Sequence, residues 1–229
     1  MILNVEKLSV TFRSKGGVVY ALKNVCFSLN EGEVLGVAGE SGSGKSTIAN
    51  ALVGLAPWEP GGVYNLFGER VKKKKKKSFA IVRKKIQMAF QDPYSSLNPR
   101  STVLEIITTP LIARGISKNE AIAKAKKMLD LVGLSNADAN KFPHAFSGGQ
   151  RQRIGLARAL VLEPKILICD EITSALDLSV QAQILHLLND LRKELNLSLI
   201  FISHDIAVME IISDRIMHLK NGASSAEQE

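Results

Sequence analysis

No run of apolar residues in this chain approaches the roughly 18 that a membrane-crossing helix needs. The richest stretches, Lys165–Cys169 and Leu197–Ile202, have only the length of buried strands. Cysteine is scarce as well: Cys26 and Cys169 are the two among 229 residues. Two such distant thiols exclude a disulfide framework and a cysteine metal site, and their apolar contexts predict reduced core residues. The N-terminus, Met-Ile-Leu-Asn-Val-Glu-Lys, lacks the basic segment followed by an apolar one that marks a secretory signal. A soluble cytosolic chain is expected. Aromatic residues are missing from the one strongly basic segment, Lys72–Lys77, which supplies six positive charges to a net charge of +8. Without aromatics to stack on bases it makes a poor nucleic-acid platform. A solvated surface loop is the plain reading, and attraction to anionic lipid headgroups, about 1 kcal/mol per lysine near the surface, is the alternative.

What is present is ordinary for a protein with a real core. Apolar residues make up 45% and charged residues 23%. Leu3–Phe12 and Tyr20–Leu29 alternate apolar and polar side chains around a Ser-Lys-Gly-Gly turn, which predicts two strands. Val34–Ala38 is a short apolar run, then come a glycine-rich loop and a helical stretch over Ser46–Leu55. Val63–Phe67 and Ile86–Phe90 are strand-like. From Val103 to Val132 the periodicity is helical, with Ser117 and Glu120 spaced as a capping box. Phe146–Gln150 leads into a third helical pattern. Further on, Ile166–Cys169 and Leu197–Ser203 are expected as strands, and Leu178–Leu195 and Ile206–Ile212 as helices. Arg215–Leu219 is a last strand candidate, and the residues after it are small and polar. Strands alternating with helices predict an α/β fold on a largely parallel sheet, with a helix-only insertion at residues 92–148.

The loop Gly39, Glu40, Ser41, Gly42, Ser43, Gly44, Lys45, Ser46 and Thr47 matches the phosphate-loop pattern GxxxxGK[ST]. Its glycines let backbone N–H groups wrap an anion, and the helix that follows turns its positive dipole end to the same phosphates. Lys45 can bridge the β- and γ-phosphates, and the Ser46 hydroxyl can ligate Mg²⁺. Asp170 and Glu171 emerge at the C-terminal end of an apolar strand, where ligands of parallel α/β sheets gather. Asp170 is placed to hold Mg²⁺ through its water shell, and Glu171 to polarise an attacking water. Ser147, Gly148, Gly149 and Gln150 open a helix and form a second anion nest. One domain needs only one phosphate cradle, so this nest points to a nucleotide held by another subunit. Gln91 ends one strand and could sense metal or water; His204 ends another and could meet the γ-phosphate.

Phosphate loop, Gln91, Ser147-Gly-Gly-Gln150, Asp170-Glu171, Ser174-Ala-Leu-Asp177 and His204 together resemble the nucleotide-binding domain of an ABC ATPase, over residues 3–220. The resemblance implies one domain over residues 1–229. Residues 1–91 and 149–220 would be an antiparallel β lobe with a RecA-like P-loop NTPase core, 92–148 an inserted α-helical lobe, and 221–229 a disordered tail. It implies ATP and Mg²⁺ as cofactors, with Lys45, Gln91, Glu171 and His204 catalytic and Ser46, Gln91 and Asp170 at the metal. It also implies a head-to-tail dimer with a second ATPase subunit, in which Ser147–Gln150 and Asp177 act in trans. The adenine-stacking aromatic falls on Phe12, with Tyr20 a weaker candidate.

Phe90-Gln-Asp-Pro-Tyr-Ser-Ser-Leu-Asn-Pro-Arg100 and Phe142-Pro-His-Ala-Phe-Ser-Gly-Gly-Gln150 resemble the oligopeptide, dipeptide and nickel importer branch. Gln150–Arg158 is similar to the second ATPase of such a pair. The branch implies two transmembrane permease subunits, an extracytoplasmic solute-binding protein and a place on the inner face of the membrane, with no nucleic acid partner. A soluble ABC ATPase acting on nucleic acid or ribosomes, and a hydrolysis-impaired partner subunit, are the alternatives. Three features depart from the pattern. Ile172 stands where the family has proline, which frees φ next to Glu171. Phe146 replaces leucine. The residues after Asn221-Gly222 offer no further strand.

Overall fold

The computed structural model describes residues 1–14, 17–72, 76–92 and 96–224, with 76–78 described by their backbone only. The first strands are β1 (Leu3–Ser14), β2 (Gly17–Leu29), β3 (Val34–Ala38), β4 (Val63–Leu66) and β5 (Glu69–Arg70). β6 (Ile86–Ala89), β7 (Ile166–Asp170), β8 (Ser198–Ser203), β9 (Arg215–Lys220) and β10 (Ala223–Ser224) follow. The helices are α1 (Lys45–Val53), α2 (Lys76–Lys85), α3 (Val103–Ile112), α4 (Lys118–Leu131), α5 (Gly148–Leu160), α6 (Leu178–Leu195) and α7 (Ile206–Ile212).

β1 and β2 form the hairpin that their alternation predicts. The inward residues Leu3, Val5, Leu8 and Val10 are buried, although the spacing stretches between Val5 and Leu8. A register shift in the β1–β2 pairing falls there, and Lys7 and Asn24 take φ of 51°. An extra residue in a strand returns the next side chain to its original face. Cys26, expected in the core, is exposed. Its neighbours Val25 and Phe27 point inward, so Cys26 faces out and its Sγ accepts from the Lys7 N–H at 3.2 Å. β4 and β5 complete a four-stranded antiparallel sheet in the order β2-β1-β4-β5.

The second sheet has the order β10-β9-β3-β8-β7-β6, parallel throughout except for β10. Ile166, Ile168, Ile200 and Ile202 face a core shared with α1 and the antiparallel sheet. Leu167, Cys169, Leu199 and Phe201 face the helices on the other side. Burial on both faces explains why β7 and β8 read as unbroken apolar runs, and each such side chain stabilises the fold by about 1.5–3 kcal/mol.

Three local outcomes differ from the sequence reading. Helix α2 was not expected, and Lys76 and Lys77 of the lysine run belong to it rather than to a loop. Val82 is buried and the Phe79 ring packs against Gly54, which holds the segment helical; Lys72 is exposed and residues 73–75 lie outside the described residues. The periodicity from Val103 to Val132 divides into α3 and α4, because Gly115 at φ 84° turns the chain. Thr102 and Glu105 form a reciprocal capping box on α3, and Ser117 accepts from the Glu120 N–H at the start of α4. Finally, the disordered tail does not begin at 221. Asn221 and Gly222 turn the chain and β10 pairs back on β9 through Ala223 and Ser224. Residues 225–229 lie outside the described residues. None of the described helices is long and apolar enough to cross a membrane.

Candidate active site

The parallel order of the second sheet puts the C-terminal ends of β3, β8, β7 and β6 along one edge. β3 is wholly buried and delivers the chain into the glycine-rich loop. Gly44, at φ 110°, turns that loop into α1, and a Cβ there would stand 2.6 Å from the Ala21 carbonyl oxygen. Only glycine fits both conditions. Lys45 is 4% exposed. Its Nζ donates to the carbonyls of Gly39 at 2.7 Å and Glu40 at 2.9 Å, and lies 3.8 Å from Glu171 Oε1. Ser43 is buried with its Oγ unpaired, whereas Ser41, Gly42 and Thr47 line an open cavity of about 530 Å³.

Ser46 donates its hydroxyl to Asp170 Oδ1 at 3.1 Å, linking the phosphate loop to the end of β7. Burial pushes the Asp170 carboxyl above the usual carboxylate range; the Ser46 hydrogen bond opposes that, the nearby Glu171 charge adds to it and Lys45 opposes it. Two oxygen donors side by side, one neutral and one acidic, suit a hard cation such as Mg²⁺ that keeps most of its shell as water and phosphate. No group of three or more His, Cys, Asp or Glu able to hold a metal occurs among the described residues.

Glu171 is the point of convergence. Its backbone stands at φ 46°. The N–H donates to the Ile202 carbonyl at 3.0 Å, and its own carbonyl accepts from the Ser174 Oγ at 2.9 Å. Both backbone groups are thus held without a proline at 172, and Ile172 is buried in the helix-side core. On the side chain, Gln91 Nε2 donates to Oε2 at 3.1 Å, and His204 Nδ1 lies 3.6 Å from the same oxygen. Gln91, His204 and Glu171 follow the ends of β6, β8 and β7, and with Lys45, the first residue of α1, they meet at one carboxylate.

The remaining predicted residues lie elsewhere. Phe12 is half-exposed opposite Val19 in the hairpin; Val19 and Tyr20, not Phe12, line the cavity. Ser147 caps α5 reciprocally, accepting from the Gln150 N–H at 3.3 Å while its own N–H donates to Gln150 Oε1 at 3.0 Å. Asp177 caps α6 through the Val180 N–H at 2.9 Å. A Cβ on Gly149 would stand 2.4 Å from Val180 Cγ1, so these two helix starts abut. Among the described residues, neither Ser147–Gln150 nor Asp177 lines the phosphate-loop cavity of the same chain. Sequence reasoning missed other walls of that cavity: Lys23 on β2 and the Asn221-Gly222 turn after β9. The Asn-Gly pair was a turn signal, but only the sheet order brings it to the loop.

A second, larger cavity of about 640 Å³ opens between β6, α3 and α5, with Met88, Phe90, Pro110 and Leu162 in its walls. Arg158, on the helix that starts at Ser147, also lines it and donates to the Ser96 carbonyl, five residues past Gln91.

Residues 22–174 match the family model described as ABC transporter. The chain is 48% identical over 228 residues to the oligopeptide transport ATP-binding protein OppF of Haemophilus influenzae, covering 95% of this chain and 68% of that one. It is 44% identical over 219 residues to OppF of Bacillus subtilis, covering 94% of this chain and 71% of that one. A putative peptide import ATP-binding protein of Brucella abortus is 45% identical over 222 residues, covering 95% and 66%. Among solved structures, the ATP-binding cassette MJ0796, a dimer in a post-hydrolysis state bound to ADP and Pi, superposes with a TM-score of 0.87 at 32% identity. That superposition covers 100% of this chain and 98% of that one. CbiO1 of Clostridium perfringens, part of the transporter complex cbiONQ, gives 0.86 at 28% identity, covering 99% and 87%.

Proposed function

This chain belongs to the ABC transporter family, and from that premise we propose that it is the ATP-hydrolysing subunit of an importer of oligopeptides. The single observation that carries the hydrolytic reading is the convergence of Gln91, His204 and Lys45 on the Glu171 carboxylate. A carboxylate held from three sides is oriented to accept a proton from water. The Gln91 amide and the His204 ring fix that water's neighbours. Ser46 and Asp170 would hold Mg²⁺, which when bound neutralises charge on the β- and γ-phosphates. The loop amides and Lys45 would bind the phosphates, with Lys45 exchanging its bonds to the Gly39 and Glu40 carbonyls for phosphate oxygens. Tyr20, in the cavity wall, and Phe12, paired with the cavity-lining Val19 on the same hairpin, are the stacking candidates for adenine.

Half of the working site comes from a second ATPase subunit. The nest at Ser147–Gln150, and Asp177 beside it, stand away from this chain's own phosphate loop, so they serve the nucleotide of a head-to-tail partner. The groove between β6, α3 and α5 suits a cytoplasmic helix of one of two permease subunits, which would hold the chain at the inner membrane face. An extracytoplasmic binding protein would deliver cargo to them. Peptide cargo is supported by 44–48% identity to relatives named for oligopeptide transport; nickel-type metal complexes are the other cargo class of this branch. The test is ATP-driven uptake by the assembled transporter in proteoliposomes. Labelled oligopeptide should accumulate only with ATP inside the compartment bearing this chain. Uptake of nickel complex but no peptide would move the cargo assignment, and hydrolysis without any uptake would sink the importer reading.

A further inference from the structure

The wall of the phosphate-loop cavity holds three charged residues: Lys45, Glu171 and Lys23. The first two lie 3.8 Å apart and offset one another, and Lys45 is already committed to two loop carbonyls. Lys23 is exposed on β2, and among the described residues its ammonium has neither an ion pair nor a hydrogen bond. With Asp170 standing behind Ser46, the two acids and the two lysines of the site balance in number, and Lys23 is the lysine whose ammonium is uncommitted among the described residues.

Its placement is fixed by the backbone. The Lys23 N–H donates to the Gly222 carbonyl at 2.7 Å, and the Gly222 N–H donates to the Ser43 carbonyl at 3.0 Å. This two-bond strap ties β2 to the phosphate loop through the turn that follows β9. Gly222 stands at φ 78°, and a Cβ there would lie 2.7 Å from the Ala21 carbonyl oxygen, so no larger residue closes the strap without strain. Lys23 is thus held beside the loop, on the hairpin side of the cavity with Tyr20 and Gly222.

We propose that Lys23 is a second phosphate-binding cation of this site, meeting the nucleotide at its α-phosphate end while Lys45 serves the β- and γ-phosphates. The assignment rests on the ATP-binding reading above. Its ligand is a nucleoside di- or triphosphate, and both should feel it equally because both carry the α-phosphate. A flexible ammonium acts here as a point charge, so the contact should be sensitive to salt.

Calorimetric titration of the full chain with ATP and with ADP, at low and high ionic strength, tests it. Lys23→Met should weaken both nucleotides by about fivefold at low salt, in the range of a partly exposed charge contact. Lys23→Glu should weaken them further, and Lys23→Arg should bind within about twofold of wild type. The difference between wild type and Lys23→Met should shrink at high salt. Unchanged affinity in Lys23→Met overturns the proposal, and so does an Arg variant as weak as Met, since packing rather than charge would then matter. Should Lys23→Glu fail to fold, the Met and Arg variants decide alone. A wild-type chain that binds neither nucleotide would instead sink the ATP-binding reading itself.

Discussion

Gln91 donates its side-chain amide to Glu171 Oε2 at 3.1 Å, although 80 residues of sequence separate them. Gln91 also opens the segment that leads to the groove between α3 and α5, where Arg158 holds the Ser96 carbonyl. One hydrogen bond therefore connects the carboxylate proposed to activate water with the wall proposed to receive a permease helix.

Glu171→Gln keeps the shape of that side chain but removes its basicity. The loop, Lys45 and Ser46 are untouched, so ATP affinity should stay within about threefold of wild type, while hydrolysis by the assembled complex falls by about 100-fold or more. Phosphate release and nucleotide titration on the same preparation check both. Near-normal hydrolysis would falsify the assignment of the base.

Lys45→Ala removes a buried ammonium from beneath the loop. The Gly39 and Glu40 carbonyls, on a half-buried and an exposed residue, then exchange a charged partner for water, at a cost of about 1 kcal/mol. The variant should melt lower than wild type without ligand, and ATP should no longer raise its melting temperature. A variant still stabilised by ATP to the wild-type extent would show that Lys45 is structural only.

Much of this site was legible in the sequence, for a physical reason. β3, β7 and β8 are buried on both faces, so they stand out as apolar runs, and the groups that follow them must lie at one edge of a parallel sheet. What stayed hidden depends on packing between distant segments. Lys23 and Asn221 belong to no motif and become cavity walls only because β9 lies next to β3. Helix α2 was masked by a lysine run whose side chains carry no apolar period, and its anchors Phe79 and Val82 come late. The exposure of Cys26 follows from the inward facing of Val25 and Phe27, a choice of face that a strand's apolar context does not reveal.

Asp170 gives a pH-dependent stability. Burial, mainly, raises its carboxyl above the usual range in the folded chain. A raised acid binds its proton more tightly folded than unfolded, so ionisation costs stability. That cost appears as pH rises from the ordinary aspartate range through the raised value, and stays constant above it. Asp170→Asn, which can still accept from Ser46, should therefore melt higher than the wild-type chain at pH 8 in the absence of nucleotide and metal. The difference should close towards pH 4. A constant difference across that window would mean that Asp170 titrates elsewhere.

The trans arrangement has its own test at Gly149. A methyl there would press on Val180 Cγ1 from 2.4 Å, so Gly149→Ala must push the start of α5 away from α6. Overpacking of this kind costs about 1–3 kcal/mol and displaces Ser147 and Gln150 relative to Asp177. None of these residues lines the chain's own phosphate-loop cavity. ATP affinity measured on the free chain should therefore stay within about twofold of wild type. Hydrolysis by the assembled ATPase pair should fall by about tenfold, because a 1 Å misplacement of a positioning group is enough for a loss of that order. Mixing the Gly149→Ala chain with a Lys45→Ala chain sharpens the result. In a pair formed by one chain of each kind, both defects fall on one composite site and the other site is intact only if nest and loop come from different subunits. Hydrolysis by the mixed pair above that of the Gly149→Ala pair supports the trans reading; hydrolysis no higher than that would place the nest and the loop of one chain at the same nucleotide.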